Sequence, residues 1–131
     1  MARQVRCGPA EARARCTVAR RYLDVAELAE AEDDASAWHN VAAGNAVLAG
    51  IAAADALCCV LLGRHSREAD HRPAVALLAT TRPASARDLE RLLQFKDTAH
   101  YGSRLITAAA LRSALRAAER LVTAAEEALT T

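Results

Sequence analysis

Apolar residues recur at helical spacing along nearly the whole chain, and the breaks between the runs are polar or carry proline. Val18, Tyr22, Val25 and Ala29 share one face of a first helix that opens at Gly8-Pro9, where proline suits the first turn. The acidic run 30–34 ends it. Ser36 is placed to cap a second helix that runs to about Leu62, with Gly63 just past its end. At about 100° per residue, Leu48, Ile51, Asp55, Cys59 and Leu62 form one stripe of that helix, and Leu57, Val60 and Leu61 lie opposite. A helix apolar on nearly every side belongs at the centre of a fold. A polar connector, 63–73, leads to a short apolar helix over 74–79, and a second break follows. The stretch 86–106 then reads as a further helix with Leu89, Leu92, Leu93, Lys96 and His100 on its stripe, flanked by Asp97 and Tyr101. Gly102 weakens the end of that helix. Thr107 is placed to cap a last helix, in which Leu111, Leu115, Ala118, Val122, Ala125 and Leu129 point inward. Arg112, Arg116, Glu119 and Arg120 face water on its other side.

The pattern predicts an all-α fold: four main antiparallel helices plus one short helix, in a single domain spanning 1–131. Composition narrows this. About a quarter of the 131 residues are alanine and only four are aromatic, so the helices present thin faces that approach closely. The formal net charge of +1 argues against a broad phosphate-binding surface while leaving room for a local basic patch. Arg13, Arg15, Arg20 and Arg21 read as the solvated side of the first helix. The N-terminal segment has arginines but no apolar stretch of the secretory kind, so a cytoplasmic protein is expected. Residues 41–62 are apolar enough to raise a membrane span. Asn45 and Asp55 interrupt them, and an aspartate near a span centre costs about 2.5–3.5 kcal/mol, so no membrane is expected. Cys7, Cys16, Cys58 and Cys59 show no metal-ligand spacing and read as small buried hydrophobes in a reducing compartment. Trp38 reads as a packed aromatic beside an exposed His39. His65 and His71 are six apart, with no thiolate or carboxylate pair near them in sequence, so neither a metal nor any other cofactor is expected.

The chemistry concentrates where ionisable groups interrupt apolar stripes. Asp55 on the second helix needs a partner or becomes protonated, and Asn45 lies roughly 60° from Leu48 on the same wheel. Lys96 and His100 interrupt the later helix. Three arrangements fit: a polar groove in which Asp55 orients Lys96 or His100, a structural rim from which Lys96 snorkels, or a homodimer interface. The binding candidates are Lys96, His100, Tyr101, Asn45 and Asp55. The catalytic candidates are Lys96, Asp97, His100 and Asp55.

The segment Gln94-Phe-Lys-Asp-Thr-Ala-His-Tyr-Gly102 resembles the HEPN superfamily, small helical-bundle proteins often found beside a minimal nucleotidyltransferase or in toxin–antitoxin systems. The likeness in helix order covers about 13–128, and the small-residue-rich second helix fits it. Ribonuclease members carry an arginine, four to six residues, then histidine. Here Lys96 stands at the arginine, Asp97 at the polar position after it, and His100 follows after three residues. The segment is closer to branches carrying R-x-x-A-D-Y, which lack the catalytic histidine. An Arg-x6-His spacing does occur, at Arg64 and His71, but in the connector. The resemblance implies a dimeric binding or regulatory component with a nucleotidyltransferase or antitoxin partner, and RNA or a nucleotide as ligand. The alternatives are a metal-independent ribonuclease, with His100 as general acid/base and Lys96 stabilising phosphate charge, and a structural oligomerisation module.

Overall fold

A computed structural model describes residues 3–32, 35–67 and 70–130 of the chain. In order, β1 (Gln4–Arg6) leads to α1 (Pro9–Glu30), α2 (Ala35–Leu62), β2 (Arg64–Ser66), α3 (Arg72–Ala79), α4 (Pro83–Leu93), α5 (Lys96–His100) and α6 (Ala108–Leu129). The fold is thus mostly helical, as the periodicity predicts. The punctuation explains the boundaries. Pro9, Pro73 and Pro83 each stand in a first turn, where a missing N–H leaves no hydrogen bond unmade. The Thr107 hydroxyl accepts from Ala110 N–H at 3.1 Å and caps α6. Gly63 takes φ +72° as it closes α2, a conformation that side chains disfavour. The side chain of Ser36, together with Asp33 and Asp34, lies outside the described residues, as do Glu68 and Ala69 of the connector.

The two short strands are antiparallel, with Val5 opposite His65, and turn the N-terminal segment back onto the end of α2. Nothing in the hydrophobic pattern marks segments this short. The stretch 86–106 is two helices rather than one, with the chain turning at Gln94-Phe95. Phe95 packs against both apolar clusters of the fold at that turn. The turn resets the helical phase, so Lys96 and His100 do not continue the stripe of Leu89 and Leu92.

The core lies between α2 and its neighbours α1, α4 and α6, and much of it is alanine. Ala42, Ala43, Ala46, Ala49, Ala52, Ala53 and Ala56 of α2 are all fully buried. At Gly50 an added Cβ would lie 2.4 Å from Leu92 Cδ1, so hydrogen is the only side chain the α2–α4 contact admits without movement. Close approach is what an alanine-rich chain predicts. The faces are rotated from expectation, however. On α1 the buried residues are Ala12, Cys16, Ala19, Leu23, Ala26 and Ala29, while Val18 and Val25 remain exposed. On α2 the stripe through Leu48, Ile51, Asp55 and Leu62 is only half-buried. Close helix contact favours the smallest residues, so alanine took the positions expected for larger apolar groups. On α6, Leu111, Ala118, Val122 and Ala125 are buried as predicted, Leu115 and Leu129 are half-buried, Ala114, Ala117 and Leu121 join the core, and Arg112, Arg116, Glu119 and Arg120 face water.

By length and apolarity the span 37–62 could cross a membrane, and 61% of its most apolar window is buried within the fold. Ion pairs trim the outside, three of them involving α1, α4 and α6. Arg20 of α1 grips Glu126 of α6 through two hydrogen bonds, Arg120 reaches Asp88 of α4, and Arg21 pairs with Asp24.

Candidate functional site

Two residues of the half-buried stripe of α2, Ile51 and Asp55, line a cleft of about 680 Å³. Glu11, Ala14 and Arg15 of α1 face Ile51 and Asp55 of α2 across it, and His65, Ser66, Arg67 and His71 close the remaining side. Asp55 sits on its floor with its side chain 15% exposed. Arg15 Nη2 donates to Asp55 Oδ2 at 3.1 Å, and His65 Nδ1 lies 3.8 Å from Oδ1. Burial raises the Asp55 carboxyl above its ordinary range, against the opposing pull of Arg15, His65 and His71. The anomaly on the α2 stripe is therefore an ion pair on a cleft floor.

His71 joins this cleft to a smaller concavity lined by Asp70, Arg72, Leu93, Lys96 and Asp97. Burial lowers the His71 pKa, and the Lys96 ammonium lowers it further, while Asp55 and Asp70 act the other way. At the rim, Arg72 holds the Asp70 carboxyl down to about 2. The Ser66 hydroxyl is buried and has no hydrogen-bond partner among the described residues, although Ser66 lines the cleft. Such a group in a native fold calls for an explanation.

The sequence candidates divide between two places. Asp55 lies in the main cleft, and Lys96 and Asp97 line the smaller concavity beyond His71. Among the described residues no salt bridge joins Asp55 to Lys96 or His100; its partners are Arg15 and His65. The His100 ring lies against α2 at Gly44, where an added Cβ would come within 3.1 Å of it. Tyr101 is exposed and tilted beside that ring, with centroids 6.0 Å apart. Asn45 donates to the Val41 carbonyl one turn back on its own helix. Trp38 and His39 exchange the expected roles. Trp38 is partly exposed, whereas His39 Nδ1 lies 2.8 Å from the Ile106 carbonyl oxygen. Asn40 ties down the same loop, accepting from Ile106 N–H and donating to the Arg104 carbonyl.

Arg15, His65, Ser66 and His71 are the residues that sequence reasoning did not single out as a set. A buried carboxylate asks for a cation, but with 17 Lys and Arg in the chain the sequence cannot choose Arg15 from 40 residues away. The Arg64–His71 spacing came closest. His71 lines the cleft, while Arg64 Nε donates to the Gln4 side chain.

The cysteines divide as well. Cys16 and Cys58 are buried free thiols, as expected, and burial pushes Cys58 up to about 12. Cys7 and Cys59 instead form a disulfide that closes β1 onto the last turn of α2. A 52-residue separation hides that pairing in the sequence, since only the β1–β2 ribbon brings Cys7 back to Cys59. The disulfide also sets two sulfurs beside His65.

Taken together, the cleft offers guanidinium and imidazole donors around one ion-paired carboxylate, together with a hydroxyl that has no partner among the described residues. It can hold an anionic group. No family model matches this chain, and no curated protein matches it.

Proposed function

We propose that this chain is a HEPN-like binding or regulatory component whose cleft takes the phosphate of a nucleotide or of RNA. The observation that carries this reading is the gathering of Arg15, Arg67, His65 and His71 in one cleft with the Ser66 hydroxyl, which has no hydrogen-bond partner among the described residues. Arg15 gives one N–H to Asp55 and keeps the rest of its planar fork for a ligand, a geometry suited to phosphate oxygens. A volume of about 680 Å³ falls in the range of small-ligand sites. The likeness around 94–102 supports the same class, a small helical partner of a nucleotidyltransferase or antitoxin. Val18, Val25 and Leu28 leave apolar surface on α1, of the kind a homodimer would cover.

A 5′-phosphorylated RNA hexamer, titrated in the presence of a chelator, tests this reading. The hexamer binds and is recovered intact, and Arg15→Gln weakens binding at least tenfold. Absence of binding would overturn it.

Cleavage of the hexamer would instead favour the metal-independent ribonuclease. One observation supports that second reading: two imidazoles share the cleft, a pairing that can take and return a proton. On this geometry His71, beside Lys96, replaces His100 as the general acid/base. Cleavage abolished by His71→Ala and kept by His100→Ala would identify it.

A further inference from the structure

The β1–β2 ribbon brings a third chemistry to the edge of the cleft. Val5 is opposite His65 in the register, and Cys7 is two residues beyond Val5. Cys7 N–H donates to the Gly63 carbonyl at 3.0 Å, which carries the ladder on to Cys7. Side chains alternate along a strand, so Cys7, Val5 and His65 fall on one face of the ribbon. Cys59, in the last turn of α2, meets Cys7 across it. The two sulfurs and a ring nitrogen of His65 all lie within 4.8 Å of one another.

We propose that reduction of the Cys7–Cys59 disulfide creates a Zn(II) site made of two thiolates and the His65 imidazole. Two thiolates and an imidazole are a zinc-type donor set, and three protein ligands leave the fourth tetrahedral position open. In such a site the donor atoms stand about 3.7 Å apart, from bond lengths of about 2.3 Å to sulfur and 2.0–2.1 Å to nitrogen. The present spread of ligand atoms is within reach of that spacing, and the strand that must move is three residues long. His65 is also oriented for the task. Its Nδ1–H donates to the Ser66 carbonyl at 3.1 Å, with the Asp55 carboxylate 3.8 Å away, which leaves the lone pair on Nε2. A metal-bound histidine holds its second nitrogen in this way.

The chemistry balances with a thiol reductant. Two equivalents of a low-molecular-weight thiol supply two electrons and two protons, giving Cys7 and Cys59 thiols and one external disulfide. Zn(II) then displaces the two thiol protons and takes up the imidazole lone pair. The site thus reports both redox state and zinc supply. Its existence does not depend on a ligand in the phosphate cleft.

Full-length protein, reduced anaerobically and freed of reductant, is titrated with Co(II) and then with Zn(II) against a chromophoric chelator. One Co(II) per chain binds, with a sulfur-to-cobalt charge-transfer band in the near ultraviolet and tetrahedral bands in the visible, and Zn(II) displaces it. Oxidised protein binds at least 100-fold more weakly. Cys59→Ser removes the charge-transfer intensity of one thiolate, His65→Gln weakens binding at least tenfold, and Cys58→Ala leaves the spectrum unchanged. The His65→Gln variant keeps both thiols, and circular dichroism confirms its helix content. Equal affinity in the oxidised and reduced forms overturns the proposal. So does a charge-transfer band that survives intact in Cys59→Ser, or an affinity unaltered by His65→Gln.

Discussion

The two sides of α2 are built on opposite rules. One side is a run of fully buried alanines and Gly50, packed so closely that Leu92 occupies the place of a side chain. The other carries Leu48, Ile51 and Asp55 half-buried, with Asp55 held by Arg15 and His65. Shape is fixed on the first side and charge is managed on the second. It follows that substitutions on the alanine side should change stability, and substitutions on the cleft side should change binding.

The sharpest contrast comes from the core. Leu57→Ala, at a fully buried position, should cost about 2–5 kcal/mol in urea unfolding, through lost burial and the cavity left behind. Next, Cys7→Ser in oxidising buffer should cost about 2–4 kcal/mol, since it releases a 52-residue loop closure, and the loss should vanish when both proteins are reduced. Gly50→Ala should cost about 1–3 kcal/mol by overpacking. Most of that cost should disappear in a Leu92→Ala background, and a double-mutant cycle measures the coupling. If the two substitutions were additive, the close α2–α4 contact would be wrong.

On the cleft side, Asp55→Asn should flatten a fall in stability with rising pH, followed as melting temperature across the acid range. The sign follows from linkage. Burial holds the folded carboxyl above its unfolded value, so Asp55 contributes stability that is full below the unfolded pKa and lost as pH rises through the folded one. Asparagine does not titrate, so the variant should lose that dependence on pH. The smallest effect belongs to His71, whose folded pKa is lowered. Its contribution is present above the unfolded histidine pKa of about 6.5 and is lost as pH falls through the folded value. Melting temperature should therefore fall as pH drops below about 6.5, and His71→Gln should flatten that fall.

Much of the fold was legible from pattern. Pro9, Gly63 and Thr107 marked helix ends correctly, and Leu111, Ala118, Val122 and Ala125 of the α6 stripe are buried as expected. What escaped depends on contacts far apart in sequence. Alanine counts as weakly apolar on a helical wheel, so the wheel chose Val18 and Val25 for the core over Ala19 and Ala26. The turn at Gln94-Phe95 follows from where Phe95 packs, which no periodicity contains. In the site, the chemistry of Asp55 was readable as a need for a partner. The partner itself was not, because many arginines met the same requirement. The resemblance at 94–102 drew attention to Lys96 and His100. Of these, only Lys96 acts on the cleft, through His71.

The most direct test of the division between the two sides of α2 is an amide-detected NMR titration of the ¹⁵N-labelled protein with the 5′-phosphorylated RNA hexamer. The account predicts shifts concentrated at Arg15, Asp55, Ser66, Arg67 and His71, with the α6 signals unmoved. Shifts centred on His100 and Tyr101, or none at saturating RNA, would contradict it.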